Sequence, residues 1–267
     1  MATPPTPPAN PYQQDAAAYL QKVMRLFGGY KQRSFAFLQA EAGQTLVDVG
    51  CGTGDDALAL TGLAGPSGRV IGVDQKPELF QPAAAKAAAA GLAVDFIVGD
   101  AAALPLPDSL ADRVRSDRVF QHLPDPDIAL AEMIRVTKPG GWICALDVDW
   151  TSLLIDSAYP ATTRAIIDFQ NRRNSDSAAG TRLYGRFKRA GLVDVEAYAE
   201  TVCVTDWPIA CMIWGLDGFA AQAAAGGDIA PESVEAWLAD LKERHAQETF
   251  FSAITGFVVR GRKPVAG

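Results

Sequence analysis

Short apolar runs alternate along this chain with longer segments in which apolar residues recur every three or four positions. The short runs predict buried strands, and the longer segments predict helices that pack against them. Strands and helices that alternate in this way indicate an α/β fold with a largely parallel sheet. The predicted strands cover residues 46–49, 69–73, 94–98, 111–119, 142–148, 195–205 and 250–259. The predicted helices cover residues 15–27, 31–40, 55–63, 127–136, 160–173 and 177–190.

Three places fit this pattern less simply. Gly28 and Gly29 interrupt the apolar periodicity, so we expect one helix to end there and another to begin at residue 31. The strand 111–119 is rich in charged residues, although a buried strand usually reads as a nearly continuous apolar run. The segment 138–141, Lys-Pro-Gly-Gly, is expected to be the loop that leads into the next strand.

Three alternate glycines, Gly50, Gly52 and Gly54, follow the first strand, and a helical segment begins immediately after them. Glycine lets a chain turn sharply after a strand and lets a ligand approach bare backbone. This strand–turn–helix arrangement is typical of nucleotide-cofactor sites at the carboxyl edge of a parallel sheet. A glycine turn without a ligand is the simpler alternative, because a glycine motif by itself is a weak signal.

The spacing of these glycines separates two classes of cofactor. A dinucleotide site needs its third glycine at the sixth position, where the pyrophosphate meets the helix N-terminus. That position holds Asp55 here, followed by Asp56, and two carboxylates would repel a pyrophosphate. S-adenosylmethionine (SAM) has no phosphate, and its positive sulfonium suits local negative charge. The residues therefore favour SAM, with an NAD-dependent oxidoreductase as the less favoured alternative.

The segment 48–54, DVGCGTG, resembles the first motif of class I SAM-dependent methyltransferases. VIGVDQ, GDAAALP, RVFQHLPDP and RVTKPGG follow in that family's order and spacing, so the resemblance covers residues 46–150 closely. The nearest branch is similar to the small-molecule methyltransferases of ubiquinone and menaquinone biosynthesis. The resemblance implies a three-layer Rossmann-like fold, with a seven-stranded, mostly parallel sheet that an antiparallel last strand closes. It also implies SAM as the cofactor and S-adenosylhomocysteine as the product.

Composition narrows the range of partners. The chain of 267 residues is 49% hydrophobic, and we expect a proline-rich tail at 1–10 and one domain at 11–267. Its net charge of −7 argues against a nucleic-acid partner, since such proteins usually carry a basic patch. The sequence shows no signal peptide or bilayer-length apolar run, and its four cysteines lack metal-ligand spacing. We therefore expect a cytoplasmic monomer or homodimer without a metal site or membrane contact.

Two acidic residues at strand ends match groups of the cofactor. Asp74 follows Gly50 by 24 residues, about the offset at which a carboxylate meets ribose hydroxyls, and Gln75 stands beside it. A cap for the next helix is the alternative role for Asp74. The resemblance assigns the adenine amino group to Asp100 and a ring nitrogen to the Ala101 N–H, with a plain turn aspartate as the alternative. The other predicted cofactor-binding residues are Arg33, Asp48, Gly50, Cys51, Gly52, Asp117 and Arg118.

Proton removal near neutral pH points to histidine, and the chain contains two. His122 follows the fourth strand, where the family places the methyl group, so it is the candidate base. A histidine that only orients the acceptor or bonds the turn is the alternative. His245 lies in a charged helical run and is expected at the surface. Tyr12 and Tyr19, in the predicted N-terminal covering helices at 11–42, are candidates to pair with His122.

The segment 206–248 is long where the minimal fold needs only a turn, and loops of that length usually have a function or structure of their own. We predict a helical cap over the acceptor, with a dimer contact as the alternative. The expected function is methyl transfer to carbon, oxygen or nitrogen of a small organic acceptor, in secondary-metabolite or quinone-like biosynthesis. A non-catalytic SAM-binding protein of the same fold is the alternative. The predicted acceptor-binding residues are Gln121, Asp149, Trp150 and Trp214.

Overall fold

The computed structural model describes residues 16–173 and 175–265, and the side chains of residues 16–25 and 27 fall outside that description. Helices and strands alternate over most of this length. The elements are α1 (Ala16–Leu38), β1 (Thr45–Val49), α2 (Asp55–Ala64), β2 (Arg69–Asp74), α3 (Phe80–Ala89), β3 (Asp95–Val98), β4 (Ala111–Asp117), α4 (Pro126–Val136), β5 (Thr137–Ile155), α5 (Pro160–Asn171), α6 (Ala179–Arg189), β6 (Val193–Val204), α7 (Trp207–Trp214), α8 (Leu216–Ala225), α9 (Pro231–Ala246) and β7 (Ser252–Arg262).

The described residues pack into two compact units. The larger, here called the sheet unit, contains residues 30–154, 167–173, 175–202 and 253–265. The smaller, the helical unit, contains residues 16–29, 155–166 and 203–252. The helices α7, α8 and α9 confirm the predicted helical content of 206–248. The role of this segment as a cap or a dimer contact stays a prediction.

The seven strands form one sheet in the order β3-β2-β1-β4-β5-β7-β6. The central strand β1 pairs in parallel with β2 and β4, and β7 is the antiparallel strand. We expected the last strand to close the sheet, but β7 is inserted between β5 and β6, so β6 is the edge strand.

Side chains that alternate along the strands build an apolar core on each face of the sheet. Val47 and Val49 of β1 face the side covered by α4 and α6, which contribute Met133, Leu183 and Phe187. Leu46 faces the other side, where Tyr30 and Leu38 of α1 pack with Leu60 of α2. Each fully buried aliphatic or aromatic side chain contributes about 1.5–3 kcal/mol to folding. The three layers predicted from the sequence are thus present in the sheet unit.

The helical unit has a core of its own, built around tryptophans. The Trp207 ring makes edge contacts with Trp237 and Phe250, at centroid distances of 6.2 and 5.6 Å. Trp214, predicted to bind the acceptor, is 2% exposed, and its Nε1 donates to Ser252 Oγ at 3.1 Å. Trp214 therefore belongs to the core of the helical unit.

Several predicted boundaries are wrong, among them the carboxyl end of β5, which is Ile155 rather than residue 148. The helix α1 continues through Gly28 and Gly29, neither of which has a positive φ, instead of ending there. A glycine in a helix costs about 1 kcal/mol of stability relative to alanine. The burial of Tyr30 and Leu38, which follow the two glycines in α1, offsets this cost. The strand β5 begins at Thr137, so 138–141 is part of a strand rather than a loop. Gly140 and Gly141 exchange hydrogen bonds of 2.9 Å with the Lys263 backbone beyond β7, a partner that the local sequence does not reveal.

Candidate cofactor and active site

The glycine turn at the carboxyl end of β1 is the first part of the site. The N–H groups of Gly50 and Cys51 donate to the Val73 carbonyl at the end of β2, at 2.7 and 3.0 Å. Gly50, Gly52 and Gly54 have φ angles of 74°, 51° and 77°, in the left-handed region that favours glycine. The backbone of the turn therefore requires these glycines whether or not a ligand is bound.

The surroundings of the three glycines differ, and the difference shows where a ligand can approach. A Cβ on Gly50 would meet Val119 Cγ2 at 2.3 Å, and one on Gly54 would meet Phe96 Cζ at 2.8 Å. A Cβ on Gly52 would meet nothing within 4 Å among the described residues. Gly52 therefore presents open backbone, which is the condition for a cofactor to press against the turn.

Asp74 lies at the end of β2 and is bound to the glycine turn. Its Oδ2 accepts a hydrogen bond from the Gly52 N–H at 2.9 Å, and its Oδ1 accepts one from the Lys76 N–H at 3.0 Å. The second bond closes a local turn before the 3₁₀ helix Pro77–Leu79, but Lys76 is the N-cap residue of that helix and no side chain caps it, so the helix cap considered for Asp74 is not formed. A carboxylate oxygen accepts more than one hydrogen bond, so capacity for a vicinal diol remains.

Asp100 and Ala101 follow β3 at the same edge of the sheet. The Gly99 N–H donates to the Asp74 carbonyl at 3.0 Å, which joins the ends of β2 and β3. The Asp100 side chain is exposed, and its Oδ1 accepts from the Ala102 N–H at 2.9 Å. The ends of three parallel strands therefore carry the glycine turn and both acidic residues along one edge.

The two acidic residues after the third glycine are paired within the protein. Asp55 forms an ion pair with Lys86 Nζ at 2.9 Å. Asp56 pairs with Lys31 Nζ of α1 at 2.8 Å and with Arg115 Nη1 of β4 at 3.0 Å. The sequence argument that these carboxylates would repel a pyrophosphate therefore does not hold in that form, because protein cations neutralise both.

Asp56 belongs to a buried cluster of charges centred on Arg115, whose side chain is fully buried. It donates to three carboxylates, those of Asp48 at 3.3 Å, Asp56 at 3.0 Å and Asp117 at 3.1 Å. The Arg115 Nε also donates to Ser34 Oγ of α1 at 3.1 Å. Asp48 and Arg115 are direct neighbours in the register of β1 and β4. One guanidinium thus joins two helices and the two central strands beside the glycine turn.

The balance of this cluster appears in its pKa values. Burial raises the pKa of Asp48 to about 7, because the attraction of Arg115 is opposed by the like charges of Asp56 and Asp117. Burial acts on Asp56 in the same direction, but Arg115 and Lys31 outweigh it and hold the pKa of Asp56 well below its usual range. Asp48 is therefore a member of the cluster that can take up a proton near neutral pH.

The 3₁₀ helix Phe120–His122, which follows β4, is the second part of the site. Arg118, just before it, has a φ of 55°, an uncommon conformation for a residue with a side chain. Such strain concentrates at functional sites, because the surrounding structure must maintain it. Val119 occupies the space above Gly50 that a larger residue there would need. The turn that carries His122 therefore packs directly against the glycine turn.

His122 is exposed at the end of this turn, and its ring has no hydrogen-bond partner among the described residues. Partial burial lowers the pKa of His122, and the positive charges of Lys76 and Arg118 lower it further. The imidazole is therefore neutral at pH 7 and able to accept a proton. Tyr12 and the side chain of Tyr19 lie outside the described residues, so the pairing of either with His122 stays a prediction.

Gln121 and Trp150 form a contact next to His122. Trp150 Nε1 donates to Gln121 Oε1 at 2.5 Å, with Gln121 buried and Trp150 half-buried. Asp149 is 5% exposed, and its carboxylate accepts hydrogen bonds from Thr151 and from the Thr181 hydroxyl. The structure therefore joins Trp150 to Gln121, the residue before His122 in the chain, while Asp149 is engaged in the fold.

Asp147 is a candidate that the sequence reasoning missed. It is fully buried at the carboxyl edge of the sheet, where its Oδ2 accepts from the Gln121 N–H and its Oδ1 from the Val148 N–H, both at 3.1 Å. Burial raises the pKa of Asp147 to about 8, and these hydrogen bonds offset that effect only in part. The sequence signal was an acidic pair, Asp147 and Asp149, at the end of an apolar strand. The sequence alone does not reveal which of these two acids binds the turn Phe120–His122.

Other predicted residues lie elsewhere or stay without an assigned contact. The Arg33 guanidinium lies 4.4 Å from the ring centroid of Tyr198 on β6, the edge strand four places from β1, so the structure does not bring it to the glycine turn. Gln75 is exposed beside Asp74. His245, expected at the surface, is half-buried in the helical unit and accepts a hydrogen bond from the Trp207 N–H at 3.4 Å.

A parallel sheet with an open glycine turn and strand-end carboxylates defines an α/β protein that binds a nucleoside-type cofactor. Within the described residues, no helix combines the length and apolar character needed to cross a bilayer. No group of histidine, cysteine or acidic side chains in the same residues is arranged to hold a metal ion.

Comparison with known proteins identifies the family. A family model described as a methyltransferase domain matches residues 40–186. An uncharacterized 37.1 kDa protein from a Streptomyces fradiae transposon is 35% identical over 92% of this chain and 70% of its own length. The demethylmenaquinone methyltransferase of Geobacillus kaustophilus is 38% identical over 43% of this chain and 50% of its own length. The chain thus spans about half the length of that relative.

A solved structure supports the fold in particular. The YcgJ protein of Bacillus subtilis superposes with a TM-score of 0.59 at 18% identity, over 91% of this chain and 99% of that one. The chain belongs to the SAM-dependent methyltransferases, and SAM is its cofactor. The open backbone at Gly52 and the carboxylate of Asp74 fit that cofactor, which has a ribose diol and no phosphate.

Proposed function

We propose that this enzyme methylates a small organic acceptor where the glycine turn adjoins the turn that carries His122. The observation that supports this most directly is the packing of the two turns. Val119 fills the space above Gly50, while the backbone of Gly52 stays open. The residues that would hold the cofactor and the candidate base therefore belong to adjoining turns.

Each polar group at this edge has a proposed task. Asp74 would accept hydrogen bonds from the ribose hydroxyls, and Asp100 with the Ala101 N–H would bind the adenine. SAM supplies a methyl group that its sulfonium already activates toward displacement. His122, neutral at pH 7, would accept the proton that an acceptor hydroxyl, amine or activated carbon loses. Gln121 and Trp150 would orient the acceptor beside it.

The class of acceptor is supported by the relatives. Several matched proteins are named demethylmenaquinone methyltransferases, which supports a quinone-like acceptor or a related secondary metabolite. The match covers less than half of this chain, so it supports the chemistry more strongly than any particular acceptor. We propose that the acceptor is a small ring compound that carries a hydroxyl group, as quinols do, and that loses a proton to His122 during the transfer.

His122→Ala tests this proposal. We expect kcat to fall by about 10²-fold or more, since general-base assistance typically contributes 10²–10⁴-fold, while the Kd for SAM changes little. Rates would be measured on acceptors found by screening phenols, quinols and amines for SAM-dependent methylation. The wild-type rate should fall as pH drops through the histidine pKa, and the variant should lose that dependence. His245→Ala is the matched control, and its pH dependence should match the wild type. A His122 variant that keeps the wild-type rate and pH dependence would contradict the proposed base.

A further inference from the structure

Asp147 has no ion-pair partner among the described residues. Its side chain is fully buried, and within that part of the chain its oxygens accept hydrogen bonds only from the backbone N–H groups of Gln121 and Val148. A buried carboxyl group without a cation is more stable with its proton than without it. The charge state of Asp147 therefore depends on pH in a range where the enzyme is otherwise folded.

Asp147 is hydrogen-bonded to the backbone of the turn that carries His122. The Gln121 N–H donates to its Oδ2, the Gln121 carbonyl accepts from the Asp176 N–H at 3.2 Å, and the Gln121 side chain accepts from Trp150. Gln121 is 5% exposed, so this connection is shielded from water. A change at Asp147 is therefore transmitted to the backbone one residue before His122.

We infer that Asp147 is a positioning residue that must stay uncharged for the turn Phe120–His122 to hold His122 in its working place. The inference rests on the proposed role of His122. The charged and titratable groups that act on Asp147 are Asp117 at the end of β4, Arg118 directly after it, and Tyr30 of α1. Asp117 opposes ionisation of Asp147, and Arg118 favours it but is itself bonded to Asp117 at 3.3 Å.

Ionisation would change the turn for a physical reason. A new carboxylate at this place would need a cation or water, and both require the buried contact around Gln121 to open. A displacement of the base by as little as 1 Å can lower a rate by about 10²-fold. Activity should therefore have an alkaline limb that belongs to Asp147 rather than to the acceptor.

Two variants of similar size separate the parts of this inference. Asp147→Asn keeps an oxygen that can accept from the Gln121 N–H and cannot ionise. Asp147→Leu removes the acceptor. We expect Asp147→Leu to lower kcat by about 10²-fold with little change in the Kd for SAM. Asp147→Asn should retain more activity than Asp147→Leu, and its kcat should lose the alkaline limb.

The imidazole of His122 gives a readout that does not need turnover. The chain has two histidines, so a His245→Gln variant assigns the ring signals in a ¹H–¹³C NMR spectrum. The His122 signal should show a second inflection near the pKa of Asp147, about 8, and Asp147→Asn should remove it. Loss of activity in His122→Ala without an Asp147-linked inflection would overturn this inference alone. The inflection with full activity of His122→Ala would overturn the base assignment but keep the positioning contact. An Asp147→Leu protein with wild-type kcat and an unshifted His122 signal would overturn the inference entirely.

Discussion

Asp48 and Asp147 are both buried at the carboxyl edge of the sheet, but their partners differ. Asp48 of β1 faces a guanidinium, with Arg115 Nη1 at 3.3 Å. Asp147 of β5 accepts only from backbone N–H groups within the described part of the chain. The pKa values nevertheless converge, since burial raises that of Asp48 to about 7 and that of Asp147 to about 8.

The convergence shows that a cation beside a buried acid does not by itself keep the acid ionised. Arg115 serves three carboxylates at once, so its attraction for Asp48 is offset by the repulsion of Asp56 and Asp117. Among the described residues, Asp147 has no cation within ion-pair distance, and Asp117 is the acidic group that raises its pKa. Desolvation is the largest effect on both groups, and the neighbouring charges only adjust the result.

Replacing Arg115 is expected to give the largest loss of folding stability. Arg115→Met would leave three carboxylates around an apolar side chain, and breaking a buried ion pair from one side costs about 3–5 kcal/mol. Urea unfolding at pH 7 should show a loss of that size. The loss should shrink at pH 5, because Asp48 and its neighbours can then be protonated more easily. Arg113→Met, two residues earlier on β4 and only partly buried, is the control and should cost less. Equal losses for the two variants would mean that the cluster has no special role.

The next effect concerns Asp147 and the pH dependence of stability. In the unfolded chain this acid loses its proton near pH 4, but in the folded protein it keeps it up to about pH 8. The folded protein binds the extra proton between these values, so stability contributed by this group falls as pH rises. At about 1.4 kcal/mol per unit, the loss from pH 5 to 7 is about 3 kcal/mol. Between pH 5 and pH 7 the unfolding free energy of the wild type should therefore fall by that amount relative to the unfolding free energy of Asp147→Asn. A constant difference would contradict the raised pKa.

Replacing Asp48 is expected to give the smallest of the three changes in stability. As with Asp147, the stability that this acid contributes falls as pH rises. Its folded pKa of about 7 also exceeds that of the unfolded chain, so its contribution to stability falls from about pH 4 and levels off above pH 7, with about 2 kcal/mol of the fall between pH 5 and pH 7. Asp48→Asn should remove about 2 kcal/mol of that fall, measured by the same unfolding series. The variant leaves Arg115 with two carboxylates, so the cluster itself should persist. A wild-type slope in the variant, or stability that rises with pH through this group, would show that Arg115 keeps Asp48 ionised.

Much of the fold was readable from local patterns. The apolar run that ends in Asp48 and Val49, the three alternate glycines and the helix after them together predict a cofactor turn. The spacing and order of the motifs are enough to mark residues 46–150 as methyltransferase-like. Asp74 and Asp100 could be predicted at the ends of their strands because parallel strands share a carboxyl edge.

The apolar pattern does not account for the charged residues of β4, and the tertiary structure does. Arg113, Arg115 and Asp117 alternate, so they share one face of β4, but the sequence does not say that Asp48 lies opposite Arg115. The same limit applies to α1, whose continuation through Gly28 and Gly29 depends on packing beyond them.

Local sequence is enough to predict the alternation of strands and helices and the glycine turn, because these depend on neighbours along the chain. The cofactor class follows from the resemblance of the motifs in residues 46–150 to the methyltransferase family. The pairing of the acids, the charge state of each and the contact with the turn that carries His122 follow from the three-dimensional fold. Asp147 and Asp149 differ by two positions, yet one accepts from the Gln121 N–H and the other from Thr151 and Thr181. Burial and hydrogen-bond partners, which set a pKa, come from segments far apart in the chain, so local sequence does not contain them.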